Sequence, residues 1–514
     1  MPDRRSLRPR HVPPRSLNAV AQLLRQRAAD VADVTVTGIS HDSRQIYPGD
    51  LFAALPGANT HGAAFIEAAA AAGAVAVLTD TAGAQQARGL PVIELSDPRS
   101  HVGQVAAFIY GEPARDLLML GITGTNGKTT TAYLVESGLQ AAGHRAGLLG
   151  TIETRVGDER FASVRTTPEA TELHALLAVM RERGATACVL EVSSHALVLG
   201  RVDGIIFDVA GFTNLSQDHL DFHADLDDYF AAKAALFTPQ RSQRAVVCVD
   251  DDYGSRLAKL ATVPVVTLGT TREADWLVLD RDVAVSGETT TATLQDVSGR
   301  RLSVVSPMPG DFNLANAALA VVMLVEAGID AADAITGVSR CAGVPGRMER
   351  VQSTGADLPL AVVDYAHTPD AIENVLRALR PSTRGRLVVV VGAGGDRDPH
   401  KRAAMGAAAA RNADLVIVTD DNPRSEHPAA IRAAVLAGAR AVGGGGDVEE
   451  IGDRRTAIER AVKATRSRAD TVVVVGKGHE QGQEIGRVRH PFDDRVVLRE
   501  AMERARDLRD EEIR

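Results

Sequence analysis

Apolar and polar positions along this chain alternate in a repeating way: short apolar runs, then longer stretches with helical spacing. Leu117–Thr123, Ala187–Val192, Val209–Thr213, Ala245–Val249 and Val263–Leu268 are nearly continuous apolar runs, as expected of strands buried on both faces of a parallel sheet. Helical patterns lie between them, and this rhythm predicts a parallel sheet covered on both sides. Over Trp276–Pro307 the rhythm breaks into Thr/Val alternation with Ser-Gly turns, which predicts antiparallel hairpins. A helix over Phe312–Glu326 follows.

Two further units flank this one. Before it, Leu17–Ala28 reads as a helix and Val34–Ser40 as a strand, and the Ala-rich stretch from Gly62 reads as a helix leading to a strand at Ala74–Leu78. After it come strand Ala361–Tyr365, helix Pro369–Leu379, strand Leu387–Val391, helix Lys401–Arg411 and strand Leu415–Thr419. The Gly-rich segment Gly443–Gly446, a helix and a last strand at Thr471–Val475 complete a Rossmann-like, doubly wound pattern. The expected fold is α/β in three domains: a small α/β domain over 16–113, a P-loop-type parallel sheet with an antiparallel subsheet over 114–345, and a Rossmann-like domain over 346–514. A length of 514 residues agrees with three domains at ~150 residues each. The basic segment 1–15 reads as a disordered tail.

Composition narrows the function. The net charge of −9 gives no global basic field for nucleic acid. No run approaches the ~20 apolar residues of a membrane span. Cys188, Cys248 and Cys341 are too few and too scattered for a disulfide framework or a zinc knuckle. A soluble cytoplasmic protein acting on small molecules is expected.

The chemistry centres on the end of the first buried strand. Gly124-Thr125-Asn126-Gly127-Lys128-Thr129-Thr130 separates that strand from a helix. Glycines let backbone N–H groups turn inward, and the helix start adds positive potential, so the turn is an anion cradle. Lys128 reaches the outer phosphates of a nucleoside triphosphate and the Thr129 hydroxyl suits Mg2+. The general P-loop spacing fails, because its first glycine would fall at Ile122.

Other polar groups stand at strand ends. Glu191 closes a buried strand beside the cradle, where a second Mg2+ ligand belongs. The loop Asn214–Asp221 packs acid and imidazole together in Asp218, His219 and Asp221, and with Glu191 and Thr129 this loop is expected to complete the coordination of one or two Mg2+ ions. Thr166-Thr167-Pro168 is either an N-cap pair or a pair of hydroxyls for a carboxyl-bearing substrate. Gly392-Ala393-Gly394-Gly395-Asp396-Arg397 lacks the last glycine of a dinucleotide fingerprint, so NAD is rejected. Asp396-Arg397-Asp398, Asp421-Asn422-Pro423-Arg424 and Gly476-Lys477-Gly478-His479-Glu480 all follow apolar strands and are expected along one sheet edge. There, arginines grip carboxylates and a glutamate accepts an ammonium, which suits an amino acid.

The string Gly-Thr-Asn-Gly-Lys-Thr resembles the signature of the Mur ligases, which assemble the peptide of bacterial cell-wall precursors. Asp42-Ser43-Arg44 followed by Pro48-Gly49-Asp50-Leu51-Phe52 is similar to their first domain, which holds the uridine diphosphate end of the substrate. The resemblance runs from Leu17 to Arg499, and Asp421–Arg424 resembles the diaminopimelate-adding members rather than the lysine-adding ones. It implies a monomeric ATP- and Mg2+-dependent ligase joining meso-diaminopimelate to a UDP-muramoyl dipeptide through an acyl phosphate. By the same resemblance, ATP is held by Gly124–Thr130, Asn316, Arg347 and Asp364. Ser43, Arg44, Thr166, Thr167, Ser193 and Arg201 hold the muramoyl dipeptide. Arg397, Asp421, Asn422, Pro423, Arg424, Gly476 and Glu480 hold diaminopimelate. Lys128, Glu191, His219 and Lys233 are the catalytic group; Lys233, matching a carbamylated lysine of the family, joins Thr129, Glu191 and His219 as a metal ligand. One departure is Leu199, where some members carry Gln two residues before the arginine matching Arg201. A folylpolyglutamate synthetase shares the architecture but differs in the acceptor loop, where Arg424 discriminates.

Overall fold

The run Leu118–Thr123 forms an interior strand of an eleven-stranded sheet, buried from Met119 onward as a strand covered on both faces must be. The computed structural model describes residues 7–25, 34–57, 59–271, 273–283, 289–351, 358–486 and 488–513. From one edge the strand order is Glu159–Ala162, Glu153–Val156, Ala146–Leu149, Ala187–Glu191, Leu118–Thr123, Val209–Phe212, Ala245–Cys248, Val265–Gly269, Trp276–Val283, Thr290–Asp296 and Arg301–Ser306. Pairing is parallel from Ala146–Leu149 through to Trp276–Val283, and antiparallel at both ends. The expected hairpins over 276–307 are therefore the far edge of the same sheet.

Register decides where the chemistry lies. Glu191 pairs with Ile122, and Phe212 with Thr123, so the cradle, Glu191 and the loop after Phe212 leave the sheet at one edge. The helix Lys128–Ala141 packs one face of the sheet with Asp311–Glu326, a sixteen-residue helix buried almost all round. Ala170–Glu182 covers the other face.

A six-stranded sheet follows, ordered Glu349–Arg350, Leu360–Asp364, Thr471–Val475, Leu387–Val391, Leu415–Val418, Asp447–Glu450. All but the first pair are parallel, so the loops after Asp364, Val391, Val418 and Val475 share one edge. The first sheet is smaller: Gly38–Ser40, Asp50–Ala54, Ala76–Thr79 and Val92–Glu94, all parallel.

The structure corrects several expectations. The strand read over Val34–Ser40 is two strands: Thr35–Val36 pairs with Arg15–Ser16, and only Gly38–Ser40 joins the first sheet. The helix read over Leu17–Ala28 is observed at Leu17–Leu23, and residues 26–28 lie outside the described residues. Asp447–Glu450 and the hairpin Gly482–Ile485/Val488–Pro491 had no apolar run to announce them.

The tail is corrected too, although residues 1–6 lie outside the described residues. Arg8 grips the buried Asp50 carboxylate through both guanidinium nitrogens, at 2.9 and 2.7 Å. The backbone N–H groups of Arg10 and His11 donate to Glu182 at 2.9 and 2.7 Å. A buried carboxylate needs a partner, and the basic segment supplies it. Arg8→Ala is expected to cost about 2 kcal/mol, the usual penalty for stranding a buried charged acceptor, read as a lower urea midpoint. An unchanged midpoint would mean that this contact does not anchor the segment.

Candidate active site

The cradle's glycines are needed where they stand. Gly124 and Gly127 have φ of 139° and 88°, in the region that favours glycine. A Cβ on Gly124 would strike the Thr213 hydroxyl, and one on Gly127 the Asn316 amide. The loop is tied down by Asn214, whose carbonyl accepts from Thr125 N at 2.8 Å and whose Oδ1 accepts from Asn126 N at 3.0 Å. No side chain caps the helix at Gly127, so its first N–H groups face the cleft as an anion site. Lys128 folds back over the loop, donating to the carbonyls of Gly124 and Thr125 at 2.8 Å each.

Glu191 is fully buried and organises the wall opposite. Its carboxylate accepts from Thr129 Oγ1 at 2.8 Å, from Thr151 N at 2.8 Å and from Thr151 Oγ1 at 3.0 Å. Thr166 Oγ1 lies 3.1 Å from Thr151 Oγ1. Thr167 Oγ1 donates to the Glu191 carbonyl at 2.7 Å and accepts from Ser193 N at 3.1 Å. Arg347 donates to Thr129 Oγ1 at 3.3 Å and lies over the Tyr365 ring at 4.2 Å. Asp364 accepts from Met348 N and Ala366 N at 2.7 Å each, and burial raises its pKa.

Lys233, on the helix Leu226–Ala234, is buried with its ammonium 2.7 Å from the Gly124 carbonyl and 4.4 Å from the centre of the Tyr229 ring. Gly124 O thus receives two lysines. Burial first, and then the Lys128 charge, push the Lys233 amine well below its ordinary pKa. Burial likewise pushes His219 down to about 3 against the pull of Asp218, leaving a neutral imidazole with a lone pair.

These groups enclose a cleft of about 270 Å3 lined by Thr125–Thr130, Glu191, Ser193, His219, Lys233, Asn316, Arg347 and Asp364, among others. Among the described residues no three His, Cys, Asp or Glu side chains gather as a ready-made metal nest. The donor set still fits Mg2+, which takes few protein ligands beside phosphate and water oxygens: Thr129 Oγ1 and the Glu191 carboxylate present oxygens at one place.

Not every expected residue reaches this cleft. Arg201 packs behind it, paired with Glu169 at 2.8 Å and donating to the Thr167 carbonyl at 3.4 Å. Ser43 and Arg44 are absent from its lining; Arg44 is exposed and paired with Asp42 at 2.8 Å. Their neighbour His41 touches the middle unit through Thr171, at 3.1 Å.

The strand-end loops of the third sheet form a second cavity of about 290 Å3, lined by Arg397, Asp421, Asn422, Arg424, Gly476 and Glu480, with Lys401 at its wall. Pro423 lies outside the lining, its carbonyl against Gly395. Arg424 donates to the Gly395 carbonyl at 2.6 Å and lies 3.3 Å from Glu484. Asn422 Nδ2 donates to Glu480 Oε2 at 2.8 Å, and the buried Lys477 joins both, at 2.9 Å from Asn422 Oδ1 and 3.0 Å from Glu480. Asp218, His219, Tyr365 and His367 line both cavities. His219, Met348, Asp396 and Arg424 all hold positive φ at or beside these cavities, a strain that gathers at functional sites.

Sequence reasoning missed Thr151, Asn313, Tyr365, His367 and Lys401 as lining residues. Thr151 and Tyr365 had a signal, each standing just past the end of a parallel strand, Thr151 beside that of Glu191.

Residues 122–324 match the model of the Mur ligase middle domain, 346–478 that of the Mur ligase glutamate ligase domain, and 35–110 that of the Mur ligase family catalytic domain. The UDP-N-acetylmuramoyl-L-alanyl-D-glutamate–2,6-diaminopimelate ligase of Streptomyces avermitilis is 55% identical over 504 residues, covering 96% of this chain and 98% of that one. Its Streptomyces coelicolor counterpart is 56% identical over 483 residues, 93% of this chain and 94% of that one. A solved structure of a UDP-N-acetylmuramoyl-L-alanyl-D-glutamate–2,6-diaminopimelate ligase superposes with a TM-score of 0.66 at 33% identity, over 96% of this chain and 99% of that one. The MurF ligase of Thermotoga maritima in complex with ADP shares the fold at a TM-score of 0.62 and 18% identity, over 92% of this chain and 99% of that one.

Proposed function

The chain belongs to the Mur ligase family, and from that premise we propose that it uses ATP to join meso-2,6-diaminopimelate to the D-glutamate of UDP-N-acetylmuramoyl-L-alanyl-D-glutamate, a step of peptidoglycan precursor synthesis. The observation that carries this reading is the common wall of the two cavities, Asp218, His219, Tyr365 and His367. It lets an amine held in one cavity meet an acyl group activated in the other.

The reaction has two steps. The D-glutamate carboxylate attacks the γ-phosphorus of ATP; the bond to the β-phosphate oxygen breaks, leaving ADP and an acyl phosphate. The amine of diaminopimelate then attacks the acyl carbon, and the tetrahedral intermediate expels phosphate and loses a proton to give the amide. In this reading Lys128 and the helix N–H groups hold the outer phosphates and balance their developing charge. Thr129 and Glu191, with His219 beside them, would hold Mg2+, which would supply further charge neutralisation at the phosphates. Asn316, Arg347 and Asp364 hold the rest of the nucleotide. Thr166 and Ser193 place the dipeptide, with Thr167 and Arg201 supporting them from behind, and Ser43 and Arg44 hold its uridine diphosphate end. Arg397 and Arg424 take carboxylates of the incoming amino acid, and Glu480 its distal ammonium. Water exclusion protects the acyl phosphate.

Both cavities come from one chain, which accords with a monomer. No helix among the described residues is long and apolar enough to cross a membrane, and the nucleotide-linked substrates of this reading support a reaction in the cytoplasm.

Phosphate release from ATP in the presence of the UDP-muramoyl dipeptide tests the reading. Release with meso-diaminopimelate and not with L-lysine is expected. Release with lysine alone would overturn the acceptor assignment, and no release with either would overturn the acyl substrate.

A further inference from the structure

Among the described residues, one ion pair between a lysine and a carboxylate joins the unit of the third sheet to the middle one; it ends on Asp218, which also faces His367, an imidazole whose pKa burial lowers. Lys401 Nζ lies 3.3 Å from Oδ1 and His367 Nε2 3.8 Å from Oδ2. Asp218 belongs to the loop after Val209–Phe212, and its Oδ1 also accepts the backbone N–H of His219 at 2.9 Å. Lys401 opens the helix Lys401–Asn412 and lines the acceptor cavity, whereas Asp218 lines both cavities. Side-chain exposures of 10% and 8% set this pair apart from a solvated surface bridge, which contributes little. A buried cation that reaches across two units onto the wall between their cavities is placed to fix how those units meet.

We propose that Lys401 is a positioning residue for amide formation, holding Asp218 so that the acceptor cavity opens directly onto the phosphate end of the cleft. The inference rests on the ligase reading above. It gives Lys401 no contact with the reacting atoms; its action passes through Asp218 and the His219 backbone. When this contact is lost, the amine is misplaced and water reaches the acyl phosphate. Water oxygen then bonds to the acyl carbon, the bond from that carbon to the phosphate oxygen breaks, and phosphate, the original carboxylate and a proton are released. ATP is consumed without amide.

The test uses the full chain with ATP, the UDP-muramoyl dipeptide and meso-diaminopimelate, with phosphate and tripeptide product measured in the same samples. Wild type should form them in equal amounts. For Lys401→Met, the acceptor KM should rise about tenfold while the KM of ATP and of dipeptide stay within about twofold, and phosphate should exceed amide. Lys401→Arg, which keeps the charge, should restore most of the coupling. Equal phosphate and amide with an unchanged acceptor KM would overturn the proposal. So would a parallel rise in all three KM values with a lowered Tm, which marks a merely structural role. Wild type that shows no acceptor-dependent phosphate release would instead overturn the ligase reading, and this proposal with it.

Discussion

Replacing Lys233 by Ala is expected to lower ligase turnover roughly a thousandfold, the scale on which a preorganised charge at a reacting centre is lost. The structure gives two reasons. The amine is buried, no carboxylate among the described residues lies within salt-bridge distance of it, and the carbonyl it touches already holds Lys128. Two ammonium groups on one carbonyl repel, and the cheapest remedy is a neutral Lys233. A neutral buried amine is also the form that adds CO2, losing a proton to become a carbamate, and so turns a cation into an oxygen-bearing anion suited to Mg2+. Because the amine's pKa lies well below its ordinary value, the reactive form persists to lower pH than for a surface lysine and is lost as pH falls through that depressed pKa. Protein prepared in 13C-bicarbonate should show a carbamate carbon resonance that Lys233→Ala lacks, and a short carboxylate such as acetate should return part of the variant's activity. A fully active wild type with no carbamate signal, indifferent to bicarbonate, would leave Lys233 with a structural role.

How far such a site can be read from sequence depends on what fixes each residue. Glu191, Lys128 and the Asp421–Arg424 loop were legible because parallel strands deliver their C-terminal ends to one edge, so an apolar run followed by polar residues gives the position as well as the strand. Lys233 was legible only through family resemblance, since one lysine on an apolar helix reads equally well as a snorkelling surface group. Lys401 and Lys477 owe their roles to partners 183 and 55 residues away, and nothing local marks such pairs. The same holds for Arg8, whose partner Asp50 stands 42 residues on, which is why a docked segment looked like a basic tail. Asp447–Glu450 escaped because an edge strand need not be apolar. Ser43 and Arg44 differ again: their motif is plain, yet a loop on the first sheet carries no register to the second, and Arg44 is found on Asp42 rather than in the cleft.

Arg424→Ala should reduce kcat/KM for meso-diaminopimelate by two to three orders of magnitude, while the KM of ATP changes less than about twofold; stranding a desolvated charge partner costs ~2–5 kcal/mol. The guanidinium lines the acceptor cavity beside Asn422 and Glu480, springs from a left-handed backbone position, φ 52°, and donates one N–H from Nη1 to the Gly395 carbonyl at 2.6 Å. That geometry leaves donors for a carboxylate in the cavity. Arg424→Lys should recover only part of the loss, because an ammonium cannot offer two parallel N–H groups. L-Lysine carries the same distal ammonium as diaminopimelate but no distal carboxylate, so the two acceptors separate the possible roles. If Arg424 grips that carboxylate, the substitution should penalise diaminopimelate and leave any weak lysine turnover untouched or improved. Equal losses for both acceptors would mean that Arg424 shapes the loop through Gly395 and Glu484, and the selectivity for diaminopimelate would then have to come from Arg397, the other arginine lining the cavity.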